Sequence, residues 1–297
     1  MGQRKPFKSV DDQVAILKAR GVDFTGHEDE AATFLLRENY YSVVNGHKDM
    51  FLDKAASSSA GEDRYREGTH FFEFKLAHMF DEALRRCSSH YLYKAENVFK
   101  TAVVYAFCES YRQKDAYLDP SCYCGKVASK KDDYTRSLIR LLSTLQNIRE
   151  NRVRKPYIEH YAKKYGEVPL WVAAKCLTFG NISAFFDLQT QSVKQKTCSN
   201  IMKATGVSNT SEVALSKSVH TLTDFRNICA HSERLYKPAA GKNGSKTVSD
   251  MLLALEKVLP REDVDELRSE INDMIDLVGG DGDLKNRILT EMSLNRD

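Results

Sequence analysis

The sequence has no run of about 18 uncharged apolar residues, the length that a membrane-spanning helix needs, so we expect no membrane partner. Residues 1–13 contain no apolar stretch of the kind that a secretory signal requires. The seven cysteines are odd in number and irregularly spaced, which argues against a disulfide framework. These absences predict a cytoplasmic protein with reduced thiols.

Common cofactor and nucleophile motifs are also missing. The sequence has no phosphate-binding loop, no G-x-G-x-x-G after a strand, no H-E-x-x-H and no G-x-S-x-G. A metal site at Cys122 and Cys124, with Cys108 and His90 at a distance, is an open alternative. A C-x-C pair without a second matched pair is a weak zinc signal, so we predict ordinary thiols there, no metal and no cofactor.

Glycine and proline are scarce over long stretches. Residues 69–123 contain no glycine and one proline, Pro120, and residues 126–165 contain no glycine and one proline, Pro156. Both residue types interrupt helices, and no stretch alternates strictly between apolar and polar residues up to a hairpin turn. The sequence therefore predicts an all-α fold.

Caps, apolar spacing and turn residues divide the chain into expected elements. Polar small residues at 57–63 predict a loop, and Trp171 is expected in the core. The expected helices run from the Ser9 cap to Gly21, from Glu28 to Asn39 with Phe34, Leu35 and Leu36 on its apolar side, from Thr69 to Arg86, from Ser89 to Tyr111, from Asp132 to Arg154 and from Thr210 to His231. Two or three acidic amphipathic helices should close the chain.

The net charge of +3 is unevenly distributed. Residues 249–297 carry 13 acidic and 6 basic side chains, a net of −7, which leaves residues 1–248 with +10. We predict three segments: an N-terminal helical segment (1–60), a helical core (61–248) and acidic C-terminal helices (249–297). A basic body favours a polyanionic partner, and an ordinary imbalance of solvated charge is the alternative.

The expected helix after residue 126 is the most basic part of the body. Residues 126–155 include nine basic and three acidic side chains, whereas a solvated helix face usually mixes the two signs. Phosphate contacts would explain the excess, and an unspecialised surface is the alternative. The candidate RNA-binding residues are Arg136, Arg140, Arg149, Arg152, Arg154 and Lys155.

The segment R-N-I-C-A-H, Arg226 to His231, carries the residue types that RNA cleavage needs. An imidazole can take the proton of a 2′-hydroxyl or protonate the leaving oxygen. A guanidinium can hold the scissile phosphate, and Asn227 shares a helix face with His231 and could orient it. Arg226 and His231 lie about 140° apart around an ideal helix, so they do not stack directly. A structural histidine is the alternative, because R-x4-H is a frequent chance pattern.

The longer segment R-N-I-C-A-H-S-E-R-L-Y, residues 226–236, resembles the R-N-x-C-A-H-H-x-R-L-[WY] signature of the Abi-like (AbiD/AbiF) abortive-infection family. Two further stretches are similar in the same order. One is the opening, with K-P-F at 5–7, R-G at 20–21, F-L-L at 34–36 and N-Y-Y at 39–41. The other is the middle, with K-Y-G-E-V-P-L-W-V at 164–172 and L-T-F-G-N-I-S at 177–183. The resemblance covers about residues 5–237.

That family is grouped with the HEPN superfamily, so the resemblance implies a HEPN-type helical bundle with additional N-terminal and C-terminal helices. It also implies a metal-independent endoribonuclease in phage defence or toxin–antitoxin control, a small structured noncoding RNA as partner, and a homodimer with a composite site. Carried over, Arg226 and His231 fall on the catalytic pair, with Asn227 between them. Glu96 sits where relatives often have a glutamate that could orient the site.

Two departures from the family pattern bear on the mechanism. Ser232 stands where relatives often have a second histidine, and Glu233 adds a negative charge next to the motif. His231 would therefore act alone or with the histidine of a second copy. Two other functions stay open: an RNA-binding module without turnover, and a helical interaction protein in which Arg226 pairs with Glu96 or Glu233.

Overall fold

The computed structural model describes residues 6–124, 131–208, 210–237, 240, 244–278 and 282–294. Over these residues every regular element is a helix, and there are isolated β-bridges such as the one between Asp23 and His70 but no strand. The predicted all-α fold is confirmed. No helix within these ranges combines the length and the apolar character that crossing a membrane requires.

The helices follow one another as α1 (Val10–Ala19), α2 (Glu28–Glu38), α3 (Lys54–Ala60), α4 (Phe71–Ser110), α5 (Lys131–Arg149), α6 (Pro156–Tyr165), α7 (Leu170–Ala173), α8 (Phe179–Asp187), α9 (Gln191–Thr205), α10 (Glu212–Ala230), α11 (Val248–Leu255), α12 (Arg261–Leu277) and α13 (Gly282–Met292). The chain forms two compact units. Unit 1 takes its described residues from 1–86, 234–237 and 270–297, and unit 2 from 87–233 and 238–269. The three segments predicted from the sequence stay a prediction.

Unit 1 is built on buried aromatic side chains. Phe24 stacks on Phe71 with ring centroids 5.2 Å apart, and Phe51 contacts Phe74 at 4.3 Å. Residues 234–237 are fixed inside this unit by the buried carboxylate of Asp81. Its Oδ1 atom accepts hydrogen bonds from the backbone N–H groups of Leu235 (2.8 Å) and Tyr236 (3.0 Å). This short segment is therefore part of the core of unit 1.

Unit 2 holds the second part of α4 and the helices α5 to α11. α10 packs against α8, α9 and α11 through one apolar stripe. This stripe consists of buried residues three or four positions apart: Leu215, Val219, Leu222, Phe225 and Ile228. Because the stripe covers one side only, the residues between its members face away from the core.

Several expected boundaries are confirmed by local chemistry. Ser9 caps α1 by accepting the backbone N–H of Asp12, whose carboxylate accepts the N–H of Ser9 in return. The second helix begins at Glu28 as predicted. Three helices, α11 to α13, close the chain.

Three expectations about the elements were wrong. The helices predicted on either side of Ser88 are one 40-residue helix, α4, because Ser88 is buried inside it and nothing there breaks the helix. The serine run at 57–59 belongs to α3, which Asp53 caps, instead of a loop. The third long helix ends at Arg149, five residues early, because Asn151 adopts a left-handed backbone with φ 55°.

Two apolar side chains do not lie where the sequence placed them. Leu36 is exposed although Phe34 and Leu35 on the same helix are buried, and Trp171 is 55% exposed while Leu170 and Val172 fill the core. Residues 126–130, which begin the basic stretch 126–155, lie outside the described residues.

Candidate active site

The R-N-I-C-A-H segment forms the last turn of α10, in unit 2. Ile228 belongs to the buried stripe, so Arg226, on the flank of the stripe, is half-buried and Asn227 is exposed. His231 is the C-cap residue, and its backbone N–H donates to the carbonyl of Asn227 at 3.0 Å. Asn227 and His231 thus lie on successive turns of one exposed face, as predicted.

The helix ends in a Schellman motif directly after His231. Ser232 adopts a left-handed backbone with φ 55°, and its N–H lies 3.4 Å from the carbonyl of Cys229. The N–H of Glu233 donates to the carbonyl of Ile228 at 3.0 Å, which completes the motif. Ser232, which replaces the second histidine of the signature, therefore stops the helix and turns the chain.

Arg226 meets Glu96 of α4. Its Nε atom lies 3.6 Å from Oε2 of Glu96, whose side chain is only 8% exposed. The other carboxylate oxygen, Oε1, accepts from Nζ of Lys100 at 3.2 Å, and this ammonium also donates to the carbonyl of Leu177 at 2.8 Å. Both oxygens of Glu96 are thus engaged by cations, and the buried carboxylate holds the guanidinium in place.

His231 has no such tether. The side chain is exposed, and within the described part of the chain the imidazole forms no hydrogen bond or ion pair with Arg226, Asn227 or Glu96. The structure therefore brings Arg226 and Glu96 into contact and leaves the imidazole of His231 facing outward. His47 of unit 1 shows the opposite case, since its buried ring stacks on Tyr236 and lies 2.8 Å from the Tyr236 hydroxyl.

The candidate RNA-binding residues fall into two groups. Arg140 in the first group and Arg149 in the second lie about 14 Å apart along the axis of α5, given a rise of 1.5 Å per residue. Arg136 and Arg140 are exposed in the first half of the helix, and Arg136 pairs with Asp133 at 2.6 Å. Arg149 at its end is half-buried. Its Nη2 atom lies 3.3 Å from Oδ2 of Asp115 and 3.4 Å from the carbonyl of Gly166.

The remaining three candidates follow α5. Arg152 is exposed and pairs with Glu150 at 2.7 Å, Arg154 has a left-handed backbone with φ 53°, and Lys155 is the N-cap residue of α6. Arg149 is thus tied into the fold, whereas the exposed candidates lie on the surface. Among the described residues, no three His, Cys, Asp or Glu side chains come together in a way that could hold a metal ion.

Sequence reasoning did not find Lys100 or the role of the second half of the signature. Lys100 lies one helical turn after Glu96, and that spacing was the available signal. Arg234, Leu235 and Tyr236 have structural roles in unit 1: Arg234 donates to the carbonyl of Gly46, and the other two donate to Asp81. The signature therefore consists of a part that holds the candidate site residues, 226–231, and an anchoring part, residues 234–236.

Another group of polar side chains links α8 and α10. Nε2 of His220 lies 2.8 Å from Oδ2 of Asp187, and its Nδ1 lies 3.5 Å from the hydroxyl of Ser183. The hydrogen bond to Asp187 raises the pKa of His220 above its ordinary value. Ser183 is buried, so a substrate cannot reach its hydroxyl, and we interpret the group as a link between the two helices.

Comparison with known proteins gives one match. A family model described as Abi-like protein matches residues 33–237, which is 205 of the 297 residues. The matched range includes α10 and the complete signature. No curated protein and no solved structure matches the chain.

Proposed function

The chain belongs to the Abi-like protein family of abortive-infection proteins, and from this premise we propose that it is a phage-defence protein that binds RNA and cleaves it as a metal-independent endoribonuclease. The proposal takes the helical core as HEPN-type and the last turn of α10 as its active site. Arg226, Asn227 and His231 face the substrate, and Glu96 positions Arg226.

The proposed reaction is attack by the 2′-oxygen of a ribose on the adjacent phosphorus. A base takes the proton of the 2′-hydroxyl, the bond from the 2′-oxygen to phosphorus forms, and the bond from phosphorus to the 5′-oxygen breaks. The leaving oxygen receives a proton, so the products are a 2′,3′-cyclic phosphate and a 5′-hydroxyl. The guanidinium of Arg226 balances the negative charge that develops on the phosphoryl oxygens.

The observation that carries the proposal is the contrast between Arg226 and His231. A buried carboxylate fixes the guanidinium, yet 38% of the Arg226 side chain stays exposed and can meet a phosphate. His231 is exposed, and its ring has no hydrogen-bond partner among the described residues, so no structural role accounts for the imidazole. A held cation and an unengaged imidazole on the same helix end supply two of the groups that phosphodiester cleavage uses.

One imidazole carries one proton at a time, and in-line cleavage needs both a base and an acid. Ser232 cannot replace a second histidine, since a serine hydroxyl is neither a base nor an acid near neutral pH. We therefore propose a homodimer in which His231 of a second copy supplies the other function. The exposed basic residues of α5 and the loop after it would hold a small structured noncoding RNA in the cytoplasm.

A non-catalytic RNA-binding module is the second candidate. Ser232 favours it, because the chain lacks the second histidine of the signature while 38% of the Arg226 side chain stays exposed and can contact a phosphate. Under this alternative the protein binds RNA in a salt-sensitive way and releases no product, although His231 is intact.

The experiment that tests the RNA partnership is to purify the protein from cells, extract bound nucleic acid and sequence it next to a His231→Ala variant. We expect one discrete RNase-sensitive species on both proteins, since His231 is needed for cleavage and not for the basic surface. No nucleic acid on either protein would contradict the proposed ribonucleoprotein. The two candidates then separate on whether the wild-type protein, freed of that RNA, cleaves RNA in a chelating buffer.

A further inference from the structure

Trp171 is the only tryptophan of the chain, and it does not lie in the core. It belongs to the short helix α7, where Leu170, Val172 and Ala173 are buried. An exposed indole next to buried neighbours presents an aromatic face and an N–H donor at the surface, which a planar ligand can stack on.

Trp171 borders a cleft of about 260 Å³ in unit 2. One wall is the end of α4 and the segment that follows it, with Phe107, Tyr111 and Tyr117. The other wall is residues 167–171. The cleft is slightly smaller than the about 300 Å³ at the lower end of small-molecule sites, so it suits one planar ring system.

Side-chain contacts hold the two walls together. The Tyr117 hydroxyl donates to the carbonyl of Val168 at 2.8 Å. The guanidinium of Arg149 lies 3.3 Å from Asp115, which belongs to the first wall. It also lies 3.4 Å from the carbonyl of Gly166, the residue that precedes the second wall in the sequence. A cleft fixed in this way loses little conformational freedom when a ligand enters it.

The charges around the cleft favour an anion. Two basic residues, Arg112 and Lys114, are exposed on its rim. The cleft has two acidic residues, and since Asp115 is paired with Arg149, Glu167 is the one that opposes these cations. An aromatic surface with two cations on its rim is complementary to a nucleotide, with its planar base and its phosphate.

We propose that this cleft binds one unstacked base of a single-stranded RNA segment, with the base on Trp171 and its flanking phosphates on Arg112 and Lys114. The inference rests on RNA as the partner of the protein and adds a contact site for it. It does not depend on His231 or on cleavage.

The test uses the fluorescence of Trp171, which no other tryptophan obscures. The full-length protein is titrated with a short single-stranded oligoribonucleotide whose 2′-hydroxyls are methylated, so that attack by the 2′-oxygen cannot occur. We expect saturable quenching by the single strand and much weaker quenching by the same sequence in a duplex, where every base is stacked. Arg112→Ala with Lys114→Ala should lower the salt dependence of binding by about 0.7 in log–log slope for each phosphate that the variant no longer neutralises.

Affinity measured on labelled RNA provides the second readout. Trp171→Leu should weaken binding by between about 5-fold and about 150-fold, the range that one stacked base is worth, and Trp171→Phe should retain most of it. Tyr165→Leu is the matched control, because Tyr165 is equally exposed, at 55%, but does not line the cleft.

Each failure has a distinct reading. RNA that binds without quenching, or equal effects of Trp171→Leu and Tyr165→Leu, would overturn this inference and leave the proposed function in place. Equal quenching by duplex and single strand would contradict the claim that the bound base is unstacked. The absence of any RNA binding would overturn both this inference and the proposed function.

Discussion

The guanidinium of Arg226 and the carboxylate of Glu96 lie 3.6 Å apart although 130 positions of sequence separate them. Glu96 is almost fully buried and is also bonded to Lys100. The pair places a cation at the end of α10, next to the exposed Asn227 and His231. The same pair could hold the helices together without any chemistry, so the first prediction separates the two roles.

Replacing Glu96 and Arg226 should have different effects on stability. Glu96→Ala leaves Lys100 without its buried counter-ion, and we expect the free energy of unfolding to fall by about 3 kcal/mol. Arg226→Ala should cost less than about 1 kcal/mol, because its more exposed side chain is screened by solvent. Denaturant unfolding measures both. If Arg226 is only structural, Arg226→Ala will instead destabilise the protein about as much as Glu96→Ala and leave RNA cleavage per folded molecule unchanged.

Asp81 should be the main anchor of the second half of the signature. It is 1% exposed and accepts the N–H groups of Leu235 and Tyr236, so Asp81→Ala should lower the free energy of unfolding by about 3–5 kcal/mol. Asp49→Asn is the matched control, since Asp49 holds the same segment through Lys237 (2.6 Å) but is exposed. It should cost less than about 1 kcal/mol. Equal effects would contradict the anchoring role.

Burial lowers the pKa of His47 from 6.5 to about 3, helped by the nearby His78 and Arg234. The unfolded chain therefore binds a proton between pH 6.5 and about 3 that the folded protein does not, and stability should fall as the pH falls through that window. At pH 5 the loss from this group is about 2 kcal/mol. His47→Asn should flatten the pH dependence of unfolding. Parallel profiles for wild type and His47→Asn would contradict the assignment.

The exposed and tethered arginines of α5 should respond differently to substitution. Arg136→Ala and Arg140→Ala should each weaken RNA binding and lower its salt dependence by about one phosphate contact, with stability almost unchanged. Arg149→Ala should lower the unfolding midpoint, because it removes the partner of Asp115 and of the Gly166 carbonyl. Binding titrations at several salt concentrations, with thermal unfolding of the same samples, measure both effects. An unchanged salt slope in Arg136→Ala and Arg140→Ala would remove α5 from the RNA-binding surface.

Local chemistry made much of the fold predictable. Helix starts and long helices depend on residues close together in the sequence. The Ser9 cap, the acidic turn at Glu28 and the glycine-poor stretches are such features, and the structure has helices where they predict them. The errors arose where tertiary packing decided the outcome. Ser88 is tolerated inside α4 because it is buried, and Trp171 is exposed because α7 has only one buried side, which its neighbours occupy.

The site was predictable to the same extent. The R-x4-H spacing and the resemblance located Arg226, Asn227 and His231 on one helix end, since all three lie within six residues. The pairing of Arg226 with Glu96 was one of two alternatives, and the sequence could not choose between them because the contact joins two distant helices. Lys100 was missed for the same reason, because its importance depends on the carboxylate that it shares with Arg226.

The measurement that tests the central claim most directly is RNA cleavage by the purified protein in a buffer containing a metal chelator, with the ends of the products mapped. We expect 2′,3′-cyclic phosphate and 5′-hydroxyl ends. We also expect His231→Ala to lower the rate by about 10²–10⁴-fold, while the unfolding midpoint stays the same and the exposed-histidine control His27→Ala cleaves normally. Cleavage by His231→Ala at the wild-type rate, or no cleavage by the wild-type protein when RNA is bound, would contradict it.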